Sequence, residues 1–358
     1  METRIAWDIP DISDEEIKAV TNSISSRWVG SNGELVRRFE KDLSHKLNVK
    51  YTIAVNNGTS ALLCALLAMK EINPSLIIGV PTFTFIATAN TASFIGDEVK
   101  FIDCSRETWN ISAENIPRDI NLIIPVDVGG LPVDYDSIKD FNIPIISDSA
   151  ESMGSKYKGK LIGSQADIHV FSFHRAKIVT TGEGGAITTN NKELYEIMWS
   201  ICNHGYDPSK KPWQYRHIRL GFNFRMTELE AAVGIEQLKK LEKYVKERNE
   251  KAEIYKDIIG DKVDYQQVPK NCVHNYFFFG IVLKEMDVDE FCLEMWKRNI
   301  EVKSWTPCHL QKHMLTSDKF ENAEWLARRV ALLPIHNKLK EEDVKKVAEN
   351  VINVIEKR

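Results

Sequence analysis

Lys177 closes the segment Ser172-Phe173-His174-Arg175-Ala176-Lys177, just past an apolar run and ahead of the turn Gly182-Glu183-Gly184-Gly185. A lysine between a strand end and a glycine-rich turn is poorly explained by packing, because lysine is rarely buried without a partner or a task. Taken alone, it also fits a solvated surface residue. Two other stretches could do chemistry beside it. Asn56-Asn57-Gly58-Thr59-Ser60 lies between a strand ending at Val55 and a helix expected from about Ala61 to Lys70. Hydroxyls and free N–H groups at a helix N-terminus, aided by the dipole, suit a phosphate; an ordinary N-cap is the alternative. Asp148 ends the run Ile143-Pro144-Ile145-Ile146-Ser147, and open α/β sheets bind ligands at the carboxyl ends of their strands. A carboxylate there could keep a ring nitrogen protonated, or could cap the following turn.

The elements that would position these residues alternate. β-type runs at Tyr51 to Val55, Leu76 to Val80, Val99 to Ile102, Leu122 to Val126, Ile143 to Ser147, Ile168 to Phe171 and Ala186 to Thr189 are separated by helical patterns. That rhythm predicts an α/β fold with a mostly parallel sheet, and runs such as Leu122-Ile123-Ile124 are apolar without alternation, as strands buried on both faces should be. A helical pattern follows through Leu238, Leu241, Val245, Ala252, Tyr255 and Ile259, with Arg248 in an apolar slot. It reads as one long bridging helix near 228–259, between a large domain at 1–240 and a smaller C-terminal α+β domain at 241–358. The latter offers a strand-like run from Tyr276 to Leu283 and helices at Asp287 to Arg298 and Lys340 to Lys357.

Two domains also suit 358 residues, which exceed the usual size of a single core. A formal charge of −4 provides no basic field for nucleic acid. The first residues lack the layout of a signal peptide and no apolar run approaches the roughly 20 residues of a membrane span, so a cytoplasmic protein without membrane attachment is expected. Six scattered cysteines with no Cys-x-x-Cys pair fit reduced thiols. Cys308-His309 with His313 has metal-like spacing but no further ligand nearby, so no metal site is expected.

Seven blocks occur in one order: Trp28-Val29-Gly30-Ser31-Asn32-Gly33 with Phe39-Glu40; Val55 through Leu62; Val80 through Asn90; Asp148-Ser149-Ala150-Glu151; the lysine segment; Gly221 through Leu229; and Leu333-Pro334-Ile335-His336. In these the chain resembles the DegT/DnrJ/EryC1/StrS group of pyridoxal-phosphate sugar aminotransferases, of fold-type I. The resemblance implies that Lys177 holds pyridoxal 5'-phosphate as a Schiff base, with pyridoxamine 5'-phosphate as the alternate form. It implies phosphate contacts from Thr59, Ser60 and Ser172 beside Gly58, stacking by Phe85, and a ring-nitrogen partner in Asp148. Asn223 would reach the phosphate across a homodimer interface. Glu151 matches a position near the ring hydroxyl that is Gln or Glu, and Arg225 and His336 are substrate-side candidates or else structural polar groups. The implied reaction moves an amino group, from L-glutamate, to a nucleotide-linked keto-deoxy-sugar, with 4-keto favoured over 3-keto, for cell-surface glycan or antibiotic sugars. The rival readings are a non-catalytic regulatory relative and a sugar dehydratase of the same fold, which resembles the family with His at the lysine position. Pro125-Val126-Asp127-Val128-Gly129-Gly130 and Ser147-Asp148-Ser149 depart from the commoner family pattern close to the expected pocket, so the sugar's identity does not carry over.

Overall fold

A computed structural model describes residues 4–31, 33–211 and 213–356. Asn32 of the first family-like block and Lys357, the expected end of the last helix, lie outside the described residues.

The apolar runs pair as buried strands. Glu98–Ile102, Ile77–Pro81 and Leu122–Ile123 form one parallel ladder. Ile146–Asp148, Ile168–Ser172, Gly185–Thr189 and Tyr51–Val55 form a second, mixed ladder, joined to the first by parallel bridges Ile123 to Ile145 and Val126 to Asp148. Only Gly185–Thr189 runs antiparallel to its neighbours. Alternation along the strands feeds two cores: Ile53, Val55, Ile168 and Val170 face helices Gly58–Ile72 and Lys192–Cys202, whereas Ala54 and Phe171 face helices Glu34–Leu47 and Glu228–Lys239.

A smaller antiparallel sheet places Phe279–Val282 between Asp264–Tyr265 and Val330–Leu333. Helices Leu241–Ile259, Val288–Lys297 and Glu341–Ile355 share its core, and Ile5 joins them by pairing with Ile300. Trp7, Phe83, Trp109, Val126, Phe277 and Phe278 form the apolar seam where the chain's two halves meet.

Four elements differ from the sequence reading, one of them the strand expected over Leu122 to Val126, whose ladder is confined to Leu122–Ile123. Residues 228–259 hold two helices rather than one, because the turn tightens at Lys240, whose N–H bonds the Gln237 carbonyl while its ammonium lies 2.7 Å from Glu16. The strand expected from Tyr276 is confined to Phe279–Val282, since Tyr276 sits at a positive φ of 49°. The strand expected from Ile143 starts at Ile146, because Pro144 has no N–H to give a ladder. Arg248, which breaks the apolar stripe, is buried and donates to the carbonyls of Tyr276 and Phe277 at 3.0 and 2.9 Å.

Candidate active site

The helix predicted from Ala61 begins at Gly58, and its N-cap is Asn57, whose side chain accepts the Ser60 N–H at 2.7 Å. The hydroxyls of Thr59 and Ser60 are thus not spent on capping. Gly58 lets this turn approach the end of the strand Ile168–Ser172, since a Cβ there would lie 2.9 Å from the Ser172 Cβ. The Ser172 Oγ itself accepts the His174 N–H at 3.3 Å. Backbone donors and hydroxyls therefore converge at one helix start.

Asp148 closes its strand, buried, with Oδ2 accepting the Thr88 hydroxyl at 2.6 Å and Oδ1 accepting the Ala150 N–H at 3.1 Å. Burial pushes its carboxyl up; the Thr88 and Ala150 bonds and the Lys177 charge pull the other way. The Ala150 bond is also the turn cap foreseen as the alternative role, so one carboxylate serves the turn with one oxygen and faces its hydroxyl partner with the other.

Lys177 is largely enclosed, with 15% of its side chain exposed. Its Nζ lies 3.8 Å from Glu151 Oε1 and 4.1 Å from the centroid of the Phe277 ring. Burial lowers its pKa, against the pull of Glu151 and Asp148. Glu151 accepts the Gly129 N–H at 2.8 Å on its other oxygen, and burial raises its carboxyl to about 7 although the Lys177 charge opposes this. A loosely held amine whose pKa is depressed by its surroundings is a readier nucleophile than a solvated lysine.

Gly58, Thr59, Phe85, Asp148, Glu151, Ser172 and Lys177 line one cavity of about 390 Å³. Phe85, the residue preceding helix Ile86–Ile95, is 60% exposed and presents an apolar ring there. Ser60 lies one residue behind the rim. Three residues named from the sequence are elsewhere. Asn223 is exposed on the segment bridged to Asn203, and Arg225 donates to Ser31 at 2.8 Å. His336 is buried in a void of about 10 Å³ behind Lys177, where burial and the charges of Arg248 and Lys251 lower its pKa to about 4.

Sequence reasoning overlooked Thr88, Trp7, Phe277, Lys303 and Trp305. Thr88 comes from a helix that shows no local sign of facing Asp148, and the others from the C-terminal half or the N-terminal strap. Of the departures from the family pattern, Val126 lines the cavity, whereas Asp127, Ser147 and Ser149 form a buried network behind it. The Tyr135 hydroxyl bonds Asp127 at 2.9 Å and Ser147 at 2.7 Å, and Ser149 meets His169 at 2.9 Å.

A buried carboxylate, a largely enclosed amine, unspent hydroxyls at a helix start and an open aromatic face fit a flat, protonatable heterocycle bearing a carbonyl and a phosphate. With a sheet whose one antiparallel strand follows the lysine, this defines the class: a fold-type I enzyme dependent on pyridoxal 5'-phosphate. Residues 10–352 match the DegT/DnrJ/EryC1/StrS aminotransferase family, and the chain belongs to it. It is 33% identical to the GDP-perosamine synthase of Escherichia coli O157:H7, with 96% of each chain covered. It is 31% identical to the UDP-4-amino-4,6-dideoxy-N-acetyl-beta-L-altrosamine transaminase of Campylobacter jejuni, covering 99% of this chain and 98% of that one. The sugar aminotransferase Spr1654 of Streptococcus pneumoniae, described as putative and solved in its PLP-form, superposes with a TM-score of 0.92 at 25% identity over 99% of both chains. The protein is accordingly a sugar aminotransferase with pyridoxal 5'-phosphate as its cofactor. No described helix is long and apolar enough to cross a membrane.

Proposed function

We propose that the protein transfers an amino group from L-glutamate to carbon 4 of a nucleotide-linked keto-deoxy-sugar, working as a cytoplasmic homodimer. The observation that carries this is the largely enclosed Lys177 amine, 3.8 Å from Glu151, in the cavity that holds Asp148 and the hydroxyl-rich helix start. Amination at carbon 4 is supported by the name of the Campylobacter relative, which places an amino group there.

When bound, the cofactor supplies an electron sink for the pair left on the donor's α-carbon. The chain's own residues do the rest. Lys177 Nζ would anchor the cofactor and, once displaced by the donor, would carry the proton from the donor's α-carbon to the cofactor's C4′; in the opposite half it would carry a proton from C4′ to the sugar carbon that gains nitrogen. Asp148 would accept the ring nitrogen's proton, with Thr88 and the Ala150 N–H fixing its oxygens. Thr59, Ser60 and Ser172 would take the phosphate at the helix start, and Phe85 would offer its ring to the cofactor's. Asn223, exposed and away from its own cavity, is free to reach a partner copy's phosphate. The division into 1–240 and 241–358 belongs to the same proposal; the turn at Lys240 and the separate core around Phe279 support it.

Glutamate should bleach the visible absorbance of the holoenzyme, and a nucleotide-linked 4-keto sugar should restore it and gain an amino group by mass. Lys177→Ala should do neither. Turnover by Lys177→Ala would refute the mechanism. A product that has lost oxygen without gaining nitrogen would point to dehydration, and a protein that the cofactor fails to colour would point to a non-catalytic relative.

A further inference from the structure

The cavity is acidic for a site that must admit glutamate. Its lining includes Asp148, Glu151 and Glu183, against the cationic candidates Lys177, His174 and Lys303. Lys177 is committed to the cofactor and to proton transfer in the reaction proposed above. Burial lowers the pKa of His174, which leaves its ring neutral near pH 7. Among the described lining residues this leaves Lys303 as the one lasting positive charge.

Lys303 is placed to use that charge. Its backbone is fixed beside the strand Val330–Leu333, with its N–H donating to Leu332 at 3.1 Å and its carbonyl accepting from Leu332 at 2.8 Å. Its Nζ stands 3.8 Å from the Trp7 ring centroid. That ring is itself held: Nε1 donates to the Leu332 carbonyl at 3.2 Å, and the Trp7 N–H donates to Glu301 at 3.0 Å. The indole face steadies the ammonium without neutralising it, and no carboxylate among the described residues lies within ion-pair distance of Nζ. An ammonium oriented this way, with its donors open to the cavity, is a seat for an anion.

We propose that Lys303 anchors a carboxylate of the amino donor. The donor's carboxylate is one bond from the reacting carbon, so its anchor must line the same cavity as Lys177, as Lys303 does. A nucleotide's diphosphate is separated from the reacting carbonyl by the sugar ring. A cavity of about 390 Å³ lies within the range of ligand pockets and has room for a small amino acid beside the cofactor. Lys303 therefore seats the α-carboxylate that an amino-acid donor brings beside the reacting carbon, a refinement that rests on the aminotransferase reading.

The test uses the holoenzyme with Lys303→Gln and Lys303→Arg. Glutarate, an unreactive dicarboxylate, is titrated calorimetrically, and the bleaching by glutamate is followed in single turnover without any sugar. In Lys303→Gln both affinities should fall about 10- to 100-fold, the loss of one charge-assisted hydrogen bond. The rate at saturating glutamate should stay within a few-fold, Lys303→Arg should recover most of the affinity, and the KM for the keto-sugar should not change. Unchanged glutarate and glutamate affinity in Lys303→Gln overturns the proposal, and so does a defect confined to the sugar half-reaction, which would assign Lys303 to the diphosphate. A wild-type holoenzyme that glutamate fails to bleach would sink the functional reading instead, and the glutarate titration would still decide the role of Lys303.

Discussion

Replacing Glu151 with glutamine should stabilise the cofactor-free protein at pH 8 and leave it nearly unchanged at pH 4.5. Glu151 is 7% exposed, and burial raises its carboxyl from 4.5 to about 7. The folded state therefore holds a proton that the unfolded chain releases between those values, and stability falls as the pH rises through the window. Above pH 7 the shift is worth about 3 kcal/mol, at roughly 1.4 kcal/mol per unit. That figure already contains the attraction to Lys177, which acts against burial in setting the value. Glutamine keeps the acceptor for the Gly129 N–H while carrying no charge. For 358 residues the unfolding entropy is about 0.75 kcal/mol/K, so the gain is about 4 °C in Tm at pH 8, shrinking toward zero at pH 4.5. Paired thermal melts of both proteins at four pH values between 4.5 and 8 measure it. A Tm difference that does not grow with pH, or that grows in the opposite direction, would refute the claim that Glu151 is charged against its surroundings.

Three further substitutions bear on the site. Thr88→Val removes the 2.6 Å hydrogen bond to Asp148 and should weaken cofactor binding about 10- to 100-fold, read as Kd by absorbance titration; an unchanged Kd would exclude Asp148 as the ring-nitrogen partner. Gly58→Ala brings a Cβ within 2.9 Å of Ser172 and should loosen cofactor binding while the melting temperature of the cofactor-free protein holds, because alanine favours the helix; an equal Kd would mean that the turn can shift freely. Asn57→Ala removes the N-cap and should cost about 1 kcal/mol, a fall in Tm of between one and two degrees in differential scanning calorimetry; no fall would show that the helix start is held by other contacts.

The large sheet was legible because its strands are buried on both faces and so carry continuous apolar runs: Tyr51–Val55 has the expected bounds, and the others lie within a few residues. Errors fell where backbone chemistry overrode hydropathy. Pro144 delays one strand, and Tyr276 at positive φ delays another. The two helices between 228 and 259 share one periodicity across Lys240, and the contact that interrupts them, Lys240 with Glu16, is 224 residues away in sequence. Arg248 looked like a defect in an apolar stripe because its three acceptors, two carbonyls near 276 and the Asn337 side chain, come from distant segments.

The same division between local and distant information runs through the cavity. Lys177, Asp148, Ser172 and the turn from Asn57 to Ser60 each sit at a strand end or helix start, so local sequence marks both their chemistry and their position. Their electrostatic setting is not local. Asp148 must stay ionised to hold a ring proton although burial opposes this, and a Lys177 tied to a cofactor gives it less support than a free ammonium. The remaining support is the Thr88 hydroxyl and the Ala150 N–H, one from another helix and one from the turn that Asp148 itself caps. Beneath that turn, Ser147, Ser149, Asp127, Tyr135 and His169 bond to one another in a buried chain. The departures from the commoner family pattern at Asp127, Ser147 and Ser149 thus lie in that buried chain rather than on the cavity's lining. The chain's own choice of sugar must then be sought among residues that line the cavity, Val126 included.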